Sequence, residues 1–229
     1  MLFIKNNYIY VHIPKTGGRF VEETCRKMNF FKPELLTRHS FVSDIDFSNF
    51  KFVSTIRNPW DWYVSDWNFW KGKLKEDYRK NKTSHFYHWK YANNFNEHLE
   101  YMLDDDEIRK KAERNEELKI GDGINSNQSS IFKKMHEKGC GYYTMVWKTM
   151  CFKDNKDLID IYMKTDNLNK DFIKAFSIEN SSRQKMIEEM DRVNTTIHRP
   201  YWVYYSDKTR ELVAQKEKEM IEKFNFVFK

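Results

Sequence analysis

The chain has few cysteines and no long apolar run. Its three cysteines, Cys25, Cys140 and Cys151, lie far apart and form no Cys-x-x-Cys pair. A structural zinc site is therefore not expected, and the odd count is typical of a reducing compartment. No apolar stretch reaches the ~18 residues that a membrane span requires. The sequence thus predicts a soluble, cytoplasmic protein without a signal peptide or membrane anchor.

Glycine and proline are also scarce, at seven and four residues among 229. A glycine pair within a motif is accordingly more informative than it is in a loop-rich chain. Lysine and arginine outnumber aspartate and glutamate by 40 to 34, and the formal charge of +6 favours anionic ligands or a solvated basic surface. Because 40% of the residues are hydrophobic, the chain can bury one sizeable core, and we expect a single domain over residues 1–229.

Strand-like and helix-like segments alternate along the chain. Residues 8–13, 51–56 and 158–164 are β-branched or aromatic runs, and helix-like sequence follows each of them. This alternation predicts an α/β fold with a central parallel sheet flanked by helices. Residues 71–125 are charged and polar, and we interpret them as a variable, partly helical region. A last long helix is predicted to begin at Ser206 or Asp207, either of which can cap it.

The first strand runs into two glycines in the segment YVHIPKTGGRF, residues 10–20. In an open parallel sheet, ligands bind beyond the carboxyl ends of the strands, where loops lead into helix N-termini. Gly17 and Gly18 permit positive φ and close approach, so successive N–H groups can surround an anion. Lys15 adds a full charge and Thr16 a hydroxyl donor. The pattern predicts a phosphate or sulfate site, although Pro-Lys-Thr-Gly-Gly alone fits an ordinary turn equally well.

The loop differs from a Walker A sequence. Nothing in the chain matches GxxxxGK[ST], and the lysine precedes the glycines, so ATP with magnesium is disfavoured. A second segment, STIRNPWDWYVSDW at residues 54–67, places Arg57 at the end of the second strand and Ser65 on the helix that follows. We expect both to face a second anion near the first loop. Taken alone, they fit a surface arginine and a helical serine at least as well.

HIPKTGGRF and IRNPWDWYVS resemble, in order and context, the two nucleotide-binding elements of PAPS-dependent sulfotransferases, where PAPS is 3'-phosphoadenosine 5'-phosphosulfate. In that family the first element holds the 5'-phosphosulfate and the second holds the 3'-phosphate. RHSFVSDIDFSNF, IYMKTDNLNKDF and VNTTIHRPYW are most similar to the heparan or uronyl 2-O-sulfotransferase branch. The resemblance implies the P-loop nucleotide-hydrolase-like sulfotransferase fold. It covers most of the chain and is weakest over residues 71–155.

The resemblance also implies roles for individual residues. Lys15 is the expected catalytic cation, and His39 is the expected base for the acceptor's proton. The residues implied for PAPS binding are Lys15, Thr16, Gly17, Gly18, Arg19, Phe20, Arg57, Ser65, Thr195 and Thr196. Two positions depart from the family pattern, because Arg19 replaces a usual Thr or Ser and Trp62 replaces a common basic residue. The weaker candidates for the base are His12, which we expect in the core, and His85, His88, His98 and His198.

The implied activity is in-line transfer of the sulfuryl group from PAPS to a hydroxyl, with 3',5'-ADP as product and no metal. The expected acceptor is a carbohydrate, and the basic balance is compatible with an acidic glycan. Nucleic acid is not expected as a partner, because no motif for it is present. Two other classes stay open, a divergent ATP-dependent phosphotransferase and a non-catalytic polyanion-binding protein.

Overall fold

The computed structural model of the chain describes residues 2–4, 7–30, 49–79, 94–103, 134–135, 137–191 and 198–229. The chain divides into two units. The first consists of Met1–Arg57 and Trp147–Thr195, and the second of Asn58–Val146 and Thr196–Lys229. That both belong to the single predicted domain stays a prediction. No helix in the described ranges is long and apolar enough to cross a membrane.

The first unit is built on a mixed sheet. Its strands are β1 (Leu2–Ile4), β2 (Tyr8–Val11), β3 (Lys51–Ile56), β4 (Phe152–Lys153), β5 (Lys156–Asp157) and β6 (Ile161–Lys164). Four of them form one sheet in the order β1-β2-β3-β6, and β4 pairs with β5 in a hairpin. β2, β3 and β6 are parallel, whereas β1 is antiparallel to β2 at the edge. The predicted parallel sheet is therefore confirmed.

Helices flank this sheet and also form the second unit. They are α1 (Gly18–Lys27), α2 (Pro59–Arg79), α3 (Phe95–Leu103), α4 (Tyr142–Cys151), α5 (Leu168–Ala175), α6 (Ser181–Glu188), α7 (Asp207–Lys216) and α8 (Lys218–Phe224). Short 3-10 turns cover Thr165–Asn167 and Tyr201–Val203. The described structure is thus α/β, as the sequence predicts.

The core of the first unit lies between the sheet and helices α1 and α5. The inward residues of α1 and its C-cap recur at helical spacing and are all buried, namely Phe20, Val21, Thr24, Cys25 and Met28. The hydrophobic ones among them form one cluster with Tyr10, Val53 and Met163 of the three parallel strands. The rings of Phe20 and Phe172 meet edge to face with centroids 6.3 Å apart. This core holds the N-terminus of α1 just beyond the carboxyl end of β2.

The second unit is a helical assembly with an aromatic interior. Asn58 caps α2, since its Oδ1 accepts from the N–H of Trp60 at 3.1 Å, and Pro59 fits the first helical position. Trp60, Tyr63, Val64 and Trp67 recur at helical spacing and are buried, while Trp70 is half-buried. The aromatic spacing of α2 therefore serves packing.

The C-terminal helix begins at one of the two predicted caps and then breaks. The Ser206 hydroxyl accepts from the N–H of Thr209 at 3.2 Å, so Ser206 is the cap and α7 starts at Asp207. The predicted single helix is two helices, α7 and α8, which meet at Glu217. Glu217 is fully buried, which is uncommon for glutamate unless its carboxylate is satisfied.

Candidate functional site

The loop between β2 and α1 has an unusual backbone. Lys15 and Gly17 both have positive φ, 64° and 89°, and the value is uncommon for lysine. A Cβ on Gly17 would lie 2.7 Å from Cδ2 of Leu168, and a Cβ on Gly18 would lie 2.1 Å from Nε2 of His12. Both positions therefore exclude a side chain, as the motif suggests. The close neighbour of Gly18 is the ring of His12, and the left-handed φ belongs to Gly17.

The first turn of α1 presents backbone donors. Within the part of the chain that the structure describes, the N–H groups of Gly17, Gly18 and Arg19 have no protein acceptor. The N–H of Phe20 donates to the carbonyl of Gly17 at 2.9 Å, so the donor set ends at Arg19. No acidic residue lies in this first turn to neutralise the positive end of the helix. The turn can therefore accept an anion from outside the chain.

The side chain of Thr16 points into the protein. Its hydroxyl donates to the carbonyl of Ile13 at 2.7 Å and lies 2.7 Å from the hydroxyl of Thr55, which lies 2.6 Å from that of Tyr10. Because the one proton of Thr16 goes to Ile13, Thr55 donates to Thr16 and Tyr10 donates to Thr55. Burial raises the pKa of Tyr10, so its proton stays in this chain. The Thr16 hydroxyl, predicted to contact a ligand, is thus used inside the protein, where it holds the loop from beneath.

Arg57 lies at the end of β3 and reaches the same loop. β2 and β3 are parallel neighbours, so their carboxyl ends lie at one edge of the sheet. Nη1 of Arg57 donates to the carbonyl of Lys15 at 3.3 Å, and the side chain is half-buried. The structure therefore brings two of the predicted site residues together, at the edge where the fold places ligands.

Thr165 is a further residue of this edge. It follows β6, the third parallel strand, and its hydroxyl donates to the carbonyl of Ile56 at 2.8 Å. The same hydroxyl lies 3.3 Å from the carbonyl of Thr16. A lone threonine after a strand matches no binding motif, so sequence reasoning did not select it.

His12 and Glu22 lie beneath the first turn of α1. Nδ1 of His12 is 3.5 Å from Oε1 of Glu22, and both side chains are buried. The ring of His12 fills the space next to Gly18. His12 is therefore a core residue, as the sequence predicts.

The remaining predicted residues are spread over both units. Arg19 is exposed on the first turn of α1, whereas the Phe20 side chain belongs to the core. Ser65 lies on α2 in the second unit, with 3% of its surface exposed, and its contact with a nucleotide stays a prediction. The others fall outside the described residues, namely His39, Thr195 and Thr196 together with the alternative bases His85 and His88.

Two residues of the second unit that the sequence analysis considered for the site, Trp62 and His98, are core residues. Trp62, at which the sequence resemblance would favour a basic residue, is buried and stacks on Tyr143 with ring centroids 4.5 Å apart. This tryptophan therefore serves packing. His98 is 1% exposed and lies against Trp67, with centroids 5.1 Å apart. The ring of His98 is thus part of the aromatic interior.

The N-terminus of α4 carries a buried carboxylate. Glu217 accepts from the N–H of Tyr143 at 3.0 Å, from the N–H of Thr144 at 2.8 Å and from the Thr144 hydroxyl at 2.5 Å. The Tyr63 hydroxyl donates to the same carboxylate. Burial raises the pKa of Glu217 above its ordinary value, while these hydrogen bonds oppose the shift. This carboxylate joins α4, α2 and the α7–α8 junction.

Among the described residues, no group of three or more His, Cys, Asp and Glu side chains gathers as a metal site does. Comparison with protein-family models, with curated protein sequences and with solved structures found no match for this chain. The chemistry of the loop between β2 and α1, residues 12–17, which we call the Lys15 loop, therefore has to follow from its own donors and from the residues that surround it.

Proposed function

We propose that this chain is a PAPS-dependent sulfotransferase. In this proposal the Lys15 loop binds the 5'-phosphosulfate, and Arg57 contacts the 3'-phosphate. The observation that carries it is the contact of Arg57 with the Lys15 carbonyl, next to the donors of Gly17, Gly18 and Arg19 at one sheet edge. Two anion-binding elements on neighbouring parallel strands suit one ligand that carries two anions.

The donor set supports a nucleotide with two separate anionic groups. Backbone N–H groups at the start of α1 bind a tetrahedral anion through directed hydrogen bonds and the helix dipole. The guanidinium of Arg57 presents a planar fork that matches a second phosphate. ATP with magnesium is a poorer candidate, because the lysine precedes the glycines and no Walker A sequence is present.

The residues of the loop also suit the charge changes of sulfuryl transfer. When bound, PAPS supplies the activated sulfuryl group. Lys15 and the N–H groups of the first turn stabilise the negative charge that develops on the phosphate oxygen of the leaving nucleotide. His39 is the proposed base, which accepts the acceptor's hydroxyl proton as that oxygen bonds to sulfur. The products are a sulfate ester and 3',5'-ADP, and the proposal needs no metal.

We place a carbohydrate hydroxyl in the role of acceptor. The sequence resemblance to the heparan or uronyl 2-O-sulfotransferase branch supports this assignment, and so does the formal charge of +6, which favours acidic glycans. Residues 71–125 are proposed to contribute to acceptor choice. Tyrosine and small-molecule hydroxyls are the alternatives that the test must distinguish.

The test is transfer of 35S from labelled PAPS to a panel of acceptors, in parallel with 32P transfer from ATP and magnesium. The panel includes unsulfated and sulfated acidic glycans, neutral glycans, a tyrosine peptide and a phenol. We expect 35S in a glycan, formed without added metal. Transfer of 32P alone contradicts the proposal, and so does tight binding of acidic glycans that disappears at high salt without any 35S transfer.

A further inference from the structure

One hydroxyl links the ends of three parallel strands. Thr165 follows β6, and its hydroxyl donates to the carbonyl of Ile56 at 2.8 Å, at the end of β3. The same oxygen lies 3.3 Å from the carbonyl of Thr16, in the loop after β2. Ile56 directly precedes Arg57, and Thr16 directly follows Lys15. Thr165 therefore contacts the backbone beside each of the two cationic residues of the proposed site.

The methyl group of Thr165 lies beside the same loop. Its Cγ2 lies 4.0 Å from the place where a Cβ on Gly17 would stand, next to Cδ2 of Leu168 at 2.7 Å. Thr165 is itself held firmly, because the N–H of Lys164 donates to Asp171 of α5 at 2.7 Å and Leu168 is buried. The side chain is thus a fixed contact point between the core and the loop.

We propose that Thr165 is a positioning residue that sets the distance between the Lys15 loop and Arg57. The inference rests on the proposed function, since it concerns a nucleotide with anions at both its 3' and 5' positions. Such a ligand gains from both elements only when their spacing is held, because the second contact then forms at a high effective concentration. A ligand with one anion uses one element and is indifferent to the spacing.

The hydroxyl and the methyl of Thr165 can be separated by substitution. Thr165→Val keeps the shape and removes the hydroxyl, whereas Thr165→Ser keeps the hydroxyl and removes the methyl. Thr24→Val is the matched control, since it removes a buried hydroxyl that donates to the Phe20 carbonyl at 2.8 Å within α1. If the Thr165 hydroxyl has only a structural role, its loss lowers the free energy of unfolding, as the loss of the Thr24 hydroxyl does. The relative affinities for the three ligands then stay unchanged.

The experiment is calorimetric titration of the wild type and these variants with 3',5'-ADP, 5'-AMP and 3'-AMP. In Thr165→Val we expect a loss of about tenfold in affinity for 3',5'-ADP, with both monophosphates changed by less than about threefold. Thr165→Ser and Thr24→Val are expected to keep the wild-type ratios. Equal losses for all three ligands in Thr165→Val overturn the inference, as does an unchanged 3',5'-ADP affinity.

The wild-type titrations test the proposed function separately from the role of Thr165. A wild type that does not prefer 3',5'-ADP over both monophosphates contradicts the sulfotransferase assignment, whatever the variants do. Should Thr165→Val not fold, Thr165→Ala and Thr165→Ser form a second pair that differs by the hydroxyl alone. The alanine variant must then show the selective loss, and equal affinities in this pair reject the role of the hydroxyl.

Discussion

The N-termini of α1 and α4 differ in how their backbone N–H groups find hydrogen-bond acceptors. At α4, a carboxylate of the chain itself, Glu217, accepts the N–H groups of Tyr143 and Thr144. At α1, the described residues supply no acceptor for the N–H groups of Gly17 to Arg19, and no acid lies in the first turn. One helix start is thus satisfied internally, whereas the other can accept an anion from outside the chain.

Both helix starts need a glycine for the same steric reason. A Cβ on Gly18 would lie 2.1 Å from the ring of His12, and a Cβ on Gly141 would lie 2.0 Å from Oε1 of Glu217. The neighbours differ in kind. Gly141 admits the carboxylate that satisfies α4, whereas Gly18 admits a ring that supports α1 from beneath. We infer that the α4 start contributes to stability and that the α1 start, with Lys15 and Arg57, contributes to ligand binding.

The largest expected effect is on transfer at Lys15. Replacement of Lys15 by Ala removes the cation that is proposed to stabilise developing charge, and it should lower the turnover of PAPS-dependent transfer by about 10²–10³-fold. The free energy of unfolding should change by less than about 0.5 kcal/mol, because the side chain is only half-buried. Activity and urea denaturation measure the two quantities. Lys153→Ala, an exposed lysine of the same unit, is the control, and unchanged turnover in Lys15→Ala contradicts the assignment.

The corresponding change at α4 should act on stability. Glu217→Ala leaves the hydroxyls of Tyr63 and Thr144 and two backbone N–H groups without their buried acceptor. We expect the free energy of unfolding to fall by about 3 kcal/mol, measured by urea denaturation. Glu219→Ala, at an exposed position of α8, should change it by less than about 0.5 kcal/mol. If Glu217→Ala changes the free energy of unfolding by less than about 0.5 kcal/mol, the start of α4 does not have the stabilising role inferred for it.

Substitution of Gly18 and Gly141 compares the two helix starts at corresponding positions. Gly141→Ala should lower the free energy of unfolding by roughly 2 kcal/mol, because the new methyl displaces Glu217. Gly18→Ala displaces His12 and distorts the first turn of α1, so the affinity for 3',5'-ADP should fall by about tenfold in calorimetry. Wild-type affinity in Gly18→Ala shows that the shape of this turn is unimportant for binding.

A further expected effect is a pH dependence of stability. The pKa of Glu217 is raised from 4.5 by burial, so its folded state binds the proton more tightly than its unfolded state does. The contribution of this group is fully present below pH 4.5 and is lost as the pH rises through the folded pKa. Relative to Glu217→Gln, the wild type should lose about 1.4 kcal/mol per pH unit within that window. If the free energies of unfolding of the wild type and of Glu217→Gln change with pH by the same amount, the pKa of Glu217 is not raised.

The parallel sheet and the Lys15 loop could be predicted because their signals are local. The β-branched runs at β2 and β3 and the glycine pair after β2 are short patterns with direct physical meaning. The edge strand β1 was not predicted, since it is only three residues long and is separated from β2 by polar sequence. Very short strands give too little alternation to recognise.

The residues that local sequence patterns do not reveal form hydrogen bonds with partners that are distant in the sequence. Glu217 stands in the charged run AQKEKEM, where no neighbour marks it as buried, and its partners Tyr63 and Thr144 are remote in sequence. Thr165 contacts Thr16 and Ile56, which are equally remote. Such contacts are fixed by tertiary packing, so a single sequence does not reveal them. The roles of His39, Thr195 and Thr196 stay predictions, because these residues lie outside the described ranges.

We propose that the open start of α1 and Arg57 together hold a nucleotide with two separate anions. Calorimetric titration of the wild type with 3',5'-ADP, with 5'-ADP and with ATP plus magnesium tests it most directly. We predict a clear preference for 3',5'-ADP without added metal. Preference for ATP with magnesium, or no binding of any of the three, contradicts the claim.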